Sequence, residues 1–138
     1  MKIAIVFDSR TGTTKAVAEG MAKMATAAGH DCTTQAVQAA SASEVSGADA
    51  VCIGSWTEGL FVIRQHATQQ TMEFIDELIL DGESVAVFCT YKLATGRLLD
   101  KMTQAVEARG GRVTGAFRSR GPEVPDGFSA WLDSLLPG

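Results

Sequence analysis

The sequence predicts an α/β protein whose central parallel sheet has helices on both faces. Short apolar runs rich in β-branched residues alternate along the chain with segments whose apolar residues recur at helical spacing. Glycines or Asp-Gly pairs mark several of the boundaries between them. Five strands alternating with five helical segments favour right-handed crossovers, and therefore an open, doubly wound parallel sheet.

The first strand is the clearest element. Residues 3–7 form a continuous apolar run, as expected of a strand that is buried on both faces. By the same criteria the five predicted strands are residues 3–7, 32–37, 50–53, 84–89 and 112–118. The predicted helices are residues 13–28, 43–46, 72–79, 98–106 and 128–135, and a long loop is expected from residue 54 to about residue 67.

Length and composition predict one soluble globular domain that spans residues 1–138. The chain is 46% hydrophobic and 20% charged, with a mean hydropathy of +0.09, which is typical of soluble proteins. It contains no apolar run of the length that spans a bilayer. The first ten residues lack the features of a secretory signal and read well as a strand, so we expect a cytoplasmic protein without membrane insertion.

Charge and cysteine content argue against several kinds of site. The three cysteines include no CxxC pair and there are only two histidines, so neither a disulfide framework nor a metal site is expected. The net charge of −4 and the lack of a basic stripe argue against nucleic acid as a partner.

The segment that follows the first strand suits a phosphate group. Residues 8–15 read DSRTGTTK, which brings hydroxyl side chains, one glycine and the start of a helix together. The free N–H groups and the dipole of a helix start favour an anion, and hydroxyls add donors. The alternative is an ordinary capped turn, because these residue types begin many helices.

The pattern Ser9-x-Thr11-Gly12-x-Thr14 after a first strand resembles the FMN phosphate loop of flavodoxins. The resemblance implies a three-layer sandwich with strand order 2-1-3-4-5, one bound FMN, and electron transfer between redox partner proteins. It also implies a phosphate cradle in which the side chain of Arg10 points to solvent. The cradle residues would be Ser9, Arg10, Thr11, Gly12, Thr13 and Thr14.

The loop after the third strand carries Trp56 at the edge of the sheet where ligands bind in such folds. An aromatic face is a good platform for a flat ring, and by resemblance Trp56 stacks on the flavin. The alternative is that Trp56 packs only on its own loop. The candidate contacts in this loop are Ser55, Trp56, Thr57, Glu58 and Gly59.

The loop after the fourth strand contains the only tyrosine of the chain, Tyr91. By resemblance Tyr91 covers the second face of the flavin, and the backbone of Thr90, Tyr91 and Lys92 bonds the edge of the ring. The tyrosine comes earlier in this loop than in most flavodoxins, and the acidic residue that often accompanies it is missing. Tyr91 could therefore be a loop packing residue instead.

The candidate loops are more basic than those of a usual flavodoxin. Positive charge near a flavin favours its anionic reduced form, so we predict a less negative potential for the second electron. The basic residues are Arg10, Lys15, Arg64, Lys92 and Arg97, against the acidic Asp8 and Glu58.

Three other classes with similar topology lack their required residues in this chain. A phosphorelay receiver needs an aspartate after the third strand, a small tyrosine phosphatase needs a cysteine in its phosphate loop, and a nicotinamide dehydrogenase needs GxGxxG after the first strand. None of these is present. We expect a monomeric electron carrier without catalytic side chains. Two alternatives stay open, a module that acts through protein partners with little or no FMN, and a small FMN-dependent reductase acting on a small substrate or quinone.

Overall fold

Five parallel strands form the central sheet of the protein. The computed structural model describes residues 1–60, 63–92 and 94–135. Two further short strands, β4 (Glu58–Leu60) and β5 (Ile63–His66), lie outside this sheet. The central strands are β1 (Lys2–Asp8), β2 (Asp31–Ala36), β3 (Ala50–Trp56), β6 (Ser84–Thr90) and β7 (Arg112–Ser119). They pair in the order β2-β1-β3-β6-β7, which confirms the predicted order 2-1-3-4-5.

Helices cover both faces of the sheet, as predicted. They are α1 (Thr13–Ala27), α2 (Ala42–Ser46), α3 (Gln69–Glu77), α4 (Leu98–Ala108) and α5 (Phe128–Ser134). Apolar residues of α1 and α5 pack with one face of the strands, and those of α2, α3 and α4 pack with the other. The strands β1, β3 and β6 are therefore buried on both sides, which explains their continuous apolar runs.

Gly54 allows β3 and β6 to pack closely. It is the register partner of Phe88, and a Cβ atom at residue 54 would overlap the ring of Phe88. The Phe88 side chain is fully buried. Any larger residue at position 54 would displace this ring, so the glycine makes room for Phe88 beneath the site.

The predicted loop over residues 54–67 is the main error of the sequence-based assignment. Strand β3 continues to Trp56, and two short antiparallel strands follow, β4 (Glu58–Leu60) and β5 (Ile63–His66). Pairing with β6 extends β3, because Ser55 and Trp56 continue the ladder. The hairpin strands are too short to show a clear period of their own.

Helix α3 begins three residues earlier than the apolar spacing predicts. Its start is set by Thr68, whose side chain accepts a hydrogen bond from the N–H of Thr71. Such a cap is a local signal that apolar periodicity does not report. Among the described residues no helix combines the length and the apolarity that a membrane crossing requires.

Candidate functional site

The carboxyl ends of β1, β3 and β6 lie side by side and bring the three predicted loops together. Asp8 at the end of β1 is the register partner of Ser55 in β3, and Ser55 in turn is the partner of Cys89 in β6. The strand order reverses between β1 and β3. Open α/β sheets bind ligands at such a switch point.

The start of α1 lies at this switch point and has the features of a candidate anion site. Gly12 has φ +92°, a conformation that side chains rarely adopt, and its N–H donates to Ser9 Oγ at 3.0 Å. The helix begins directly after this residue, which has no side chain to cap it. Over the described residues, no partner is found for the N–H groups of Thr13 and Thr14. These donors are available to an anion.

The hydroxyls of this loop divide into two groups. Thr11 is exposed and Thr13 is half-buried, and their Oγ1 atoms lie 3.4 Å apart beside the helix start. Thr14 is 1% exposed, and its Oγ1 atom lies 2.6 Å from Oγ1 of Thr90. The side chain of Thr14 therefore joins α1 to β6, and of the hydroxyls predicted for the cradle those of Ser9, Thr11 and Thr13 lie outside this buried contact.

Trp56 ends β3 and is half-buried at the edge of the sheet. The guanidinium carbon of Arg10 lies 5.4 Å from the centroid of its ring, a distance typical of cation–π contact. Arg10 is exposed, but its side chain lies over the indole rather than extending freely into solvent. The phosphate loop and the aromatic platform are thus in direct contact.

Thr57 ties the chain after Trp56 to the neighbouring strand. Its N–H and its Oγ1 both donate to the carbonyl oxygen of Thr90, at 3.1 and 2.9 Å. Glu58 is half-buried, and its Oε2 atom lies 3.9 Å from Nδ1 of His66. Gly59 lies in β4. The anchoring of Thr57 holds Trp56 in place.

Some backbone groups at the end of β6 and just after it already form hydrogen bonds within the protein. The carbonyl of Thr90 accepts both bonds from Thr57, and the N–H of Tyr91 donates to the carbonyl of Ser119 at 3.0 Å. Lys92 is exposed. Within the described part of the chain, the Lys92 N–H has no partner, so this group best fits the predicted contact to a ring edge.

Two arginines beside Tyr91 were missed by the sequence analysis. Tyr91 is half-buried, and the guanidinium carbons of Arg118 and Arg120 lie 5.9 and 5.3 Å from its ring centroid. Both arginines are at the end of β7, next to β6 in the sheet. The predicted strand order already placed the last strand next to the strand that precedes Tyr91. Because residues two apart share one face of a strand, Arg118 and Arg120 could have been predicted to lie near Tyr91.

A buried polar network supports the loops from below. Asp8 is 7% exposed, and its carboxylate accepts hydrogen bonds from Thr68 Oγ1 and from Gln38 Nε2. Ser55, fully buried, accepts from the N–H of Thr68 at 3.0 Å and donates to the carbonyl of Trp56 at 2.7 Å. Ser55 and Asp8 therefore position the site through buried contacts.

Cys89 is a buried packing residue. It is 1% exposed within the apolar cluster beneath α3 and α4. Burial raises the pKa of its thiol to about 12, against smaller opposing effects of Thr57 and Arg118. In the described part of the chain, His, Cys, Asp and Glu residues form no cluster suited to a metal ion.

The fold and this site define a doubly wound α/β protein with a helix start that has no side-chain cap and an aromatic residue at its switch point. A family model described as a flavodoxin domain matches residues 4–122. The chain therefore belongs to the flavodoxin family. No curated protein matches this sequence.

Solved structures share the fold. The two-electron reduced flavodoxin of Megasphaera elsdenii is 24% identical, with a TM-score of 0.80 over 96% of this chain and 97% of that one. A flavodoxin of Streptococcus pneumonia TIGR4 is 18% identical, with a TM-score of 0.77 over 98% and 94%. The flavodiiron protein of Giardia intestinalis is 14% identical, with a TM-score of 0.70 over 97% of this chain and 34% of that one.

Proposed function

We propose that the protein binds one FMN at the carboxyl edge of its sheet and carries electrons between redox partner proteins. The observation that carries this proposal is the start of α1. There the N–H groups of Thr13 and Thr14, which have no partner among the described residues, lie at the switch point beside the half-buried Trp56. Membership of the flavodoxin family supports the same assignment.

The phosphate end of FMN fits the start of α1. The residues offered are the N–H groups of Thr13 and Thr14 and the hydroxyls of Ser9, Thr11 and Thr13. Ser9 Oγ accepts from Gly12, which leaves its own proton to donate. A dianion would be stabilised by these donors and by the helix dipole.

The flat ring of FMN fits the edge between β3 and β6. Trp56 and Thr90 are register partners, so Tyr91 lies one residue beyond Trp56 on the adjacent strand. Both aromatic side chains are half-buried. Aromatic faces stack well on flat heterocycles, and the N–H of Lys92, which has no partner among the described residues, can bond a ring edge.

When bound, FMN supplies the capacity to take up and release electrons. The chain binds the phosphate, orients the ring through Trp56 and shields one side of it from water. The network of Asp8, Ser55 and Thr68 keeps the strand ends in place. These roles are those of a carrier, and no side chain of the site is assigned a proton-transfer step.

The test is a titration of flavin-free protein with FMN, followed by absorbance and by quenching of flavin fluorescence. We expect saturable binding with strong quenching. The Trp56→Leu variant should bind FMN roughly 10- to 100-fold more weakly, because one stacking surface is lost. Trp131→Phe is the control, since it removes an indole that packs against Phe128 in α5 and leaves the site intact.

Two results would point to the alternative functions. Absence of FMN binding by the folded protein would refute the proposal and favour a module that acts only through protein partners. Oxidation of NADH or NADPH with direct reduction of a quinone by the isolated protein would favour a small reductase over a carrier.

A further inference from the structure

We propose that Tyr91, Lys92, Arg118 and Arg120, here called the basic patch, form a docking surface for an acidic face of a partner protein. The inference rests on the proposed function only in identifying that partner as a redox protein. The patch lies at the ends of β6 and β7 and borders the candidate flavin site, with which it shares Tyr91 and Lys92.

The strand register builds the patch. Arg118 is the partner of Cys89 and Ser119 is the partner of Thr90, so the end of β7 runs alongside the start of the loop that holds Tyr91. The two guanidinium carbons lie 5.9 and 5.3 Å from the Tyr91 ring. Both arginines are exposed, as is Lys92. Two guanidinium groups thus lie over one half-buried aromatic ring, and the exposed Lys92 is the next residue along the chain.

Within the described residues the cations of the patch form no salt bridge with a carboxylate. The one carboxylate contact of that kind among those residues joins Glu58 to His66 and involves no lysine or arginine. Glu123 folds back to the end of β7, where its carbonyl accepts a hydrogen bond from Ser119 Oγ at 3.0 Å, but within the described residues its carboxylate forms no salt bridge with Arg118 or Arg120. The guanidinium groups of Arg118 and Arg120 carry the same charge and lie over one ring, so a carboxylate bound between them would be stabilised by both.

The composition of the patch favours a protein over other polyanions. Tyrosine and arginine are enriched at the centres of protein interfaces. The whole chain has a net charge of −4, so the patch is a local positive area on an acidic molecule. Nucleic acids are bound through longer basic surfaces that neutralise several successive phosphates. A local charge of this kind steers an oppositely charged protein surface to one orientation.

The test is backbone amide NMR of the ¹⁵N-labelled, flavin-free protein, titrated with an acetylated hexaglutamate peptide. We expect saturable shifts centred on the amides of Tyr91, Arg118 and Arg120 at low salt, and much weaker binding at ~0.15 M salt. The neutral hexaglutamine peptide should cause no such shifts. Since flavin is absent, this result does not depend on FMN binding, which the titration above tests separately.

Charge reversal gives the decisive comparison. R118E/R120E should bind hexaglutamate at least about tenfold more weakly than the unchanged protein. The control K2E/R112E makes the same change in net charge at the opposite ends of β1 and β7, and should retain most of the affinity. The neutral variant R118Q/R120Q tests the same point if charge reversal prevents folding.

Three results would overturn the proposal. One is hexaglutamate shifts that lie away from the basic patch or do not occur. Another is equal loss of affinity in the patch variants and in K2E/R112E. The third is tighter binding of a thymidine hexanucleotide than of hexaglutamate at the same amides, which would assign the patch to nucleic acid.

Discussion

The hydroxyl of Thr14 lies 2.6 Å from the hydroxyl of Thr90, although 76 residues separate them in sequence. Both side chains are buried. The contact joins the first turn of α1 to the end of β6, and the carbonyl of the same Thr90 also accepts two bonds from Thr57. Thr90 therefore connects all three loops of the site.

Replacing either threonine of this pair should destabilise the fold. Thr14→Val or Thr90→Val leaves one buried hydroxyl without its partner, which costs about 1–3 kcal/mol. The double variant should cost less than the sum of the two single changes, because no unpaired hydroxyl remains. Urea unfolding followed by circular dichroism measures these free energies.

The control for this pair is Thr26→Val, which alters an exposed residue in the last turn of α1 and should change stability by no more than ~0.5 kcal/mol. Strictly additive effects of the Thr14 and Thr90 changes would show that the two hydroxyls are not energetically coupled.

Affinity for the phosphate group should depend on Thr13. Thr13→Val removes a hydroxyl beside the start of α1, and a hydrogen bond to a charged group contributes roughly 1.5–3 kcal/mol. We expect FMN to bind about 10- to 100-fold more weakly, with little change for riboflavin, which lacks the phosphate. Calorimetric titration with both flavins makes the comparison, and Thr26→Val again serves as control. If the variant bound FMN and riboflavin with equally reduced affinity, the Thr13 hydroxyl would not act through the phosphate group.

The basic patch should raise the potential at which bound FMN accepts its second electron. R118E/R120E replaces two positive charges with negative ones beside Tyr91. This change disfavours the anionic reduced flavin by roughly 0.5–1 kcal/mol for each arginine, which is a few tens of mV. A spectroelectrochemical titration should show the lower potential in R118E/R120E and a value near that of the unchanged protein in K2E/R112E. An unchanged potential in both would contradict the electrostatic argument.

Alkaline pH should destabilise the protein partly through Cys89. Burial raises the pKa of this thiol from 9.0 to about 12, so above pH 9.0 the unfolded chain ionises while the folded protein keeps the proton. The contribution of the neutral Cys89 thiol to the free energy of unfolding is complete below pH 9.0, and it is lost as the pH rises through the pKa of the folded protein. The free energy of unfolding should thus fall with pH by up to ~1.4 kcal/mol per unit from this group.

The Cys89→Ala variant isolates that contribution. Its unfolding free energy, measured by urea at several pH values above 9.0, should decline less steeply than that of the unchanged protein. Other alkaline groups titrate in both proteins and cancel in the difference. Parallel curves for the two proteins would show that Cys89 keeps an ordinary pKa in the fold.

The order of the central strands and helices was predictable because each has a local pattern. Residues 3–7 are apolar without interruption, and the pattern of a doubly buried strand arises from neighbours within the same segment. The hairpin of β4 and β5 was missed, since strands of three and four residues are too short to show a period.

The sequence by itself determined the alternation of strands and helices, the glycine-containing helix start after β1, and the aromatic residues at the ends of β3 and β6. Only the tertiary structure decided that Thr14 turns inward to Thr90, that Arg10 lies over Trp56, and that Arg118 and Arg120 flank Tyr91. The reason is physical. Periodicity and capping act between residues a few positions apart, whereas these contacts depend on which strands are neighbours and in what register, so they exist only once the sheet has formed.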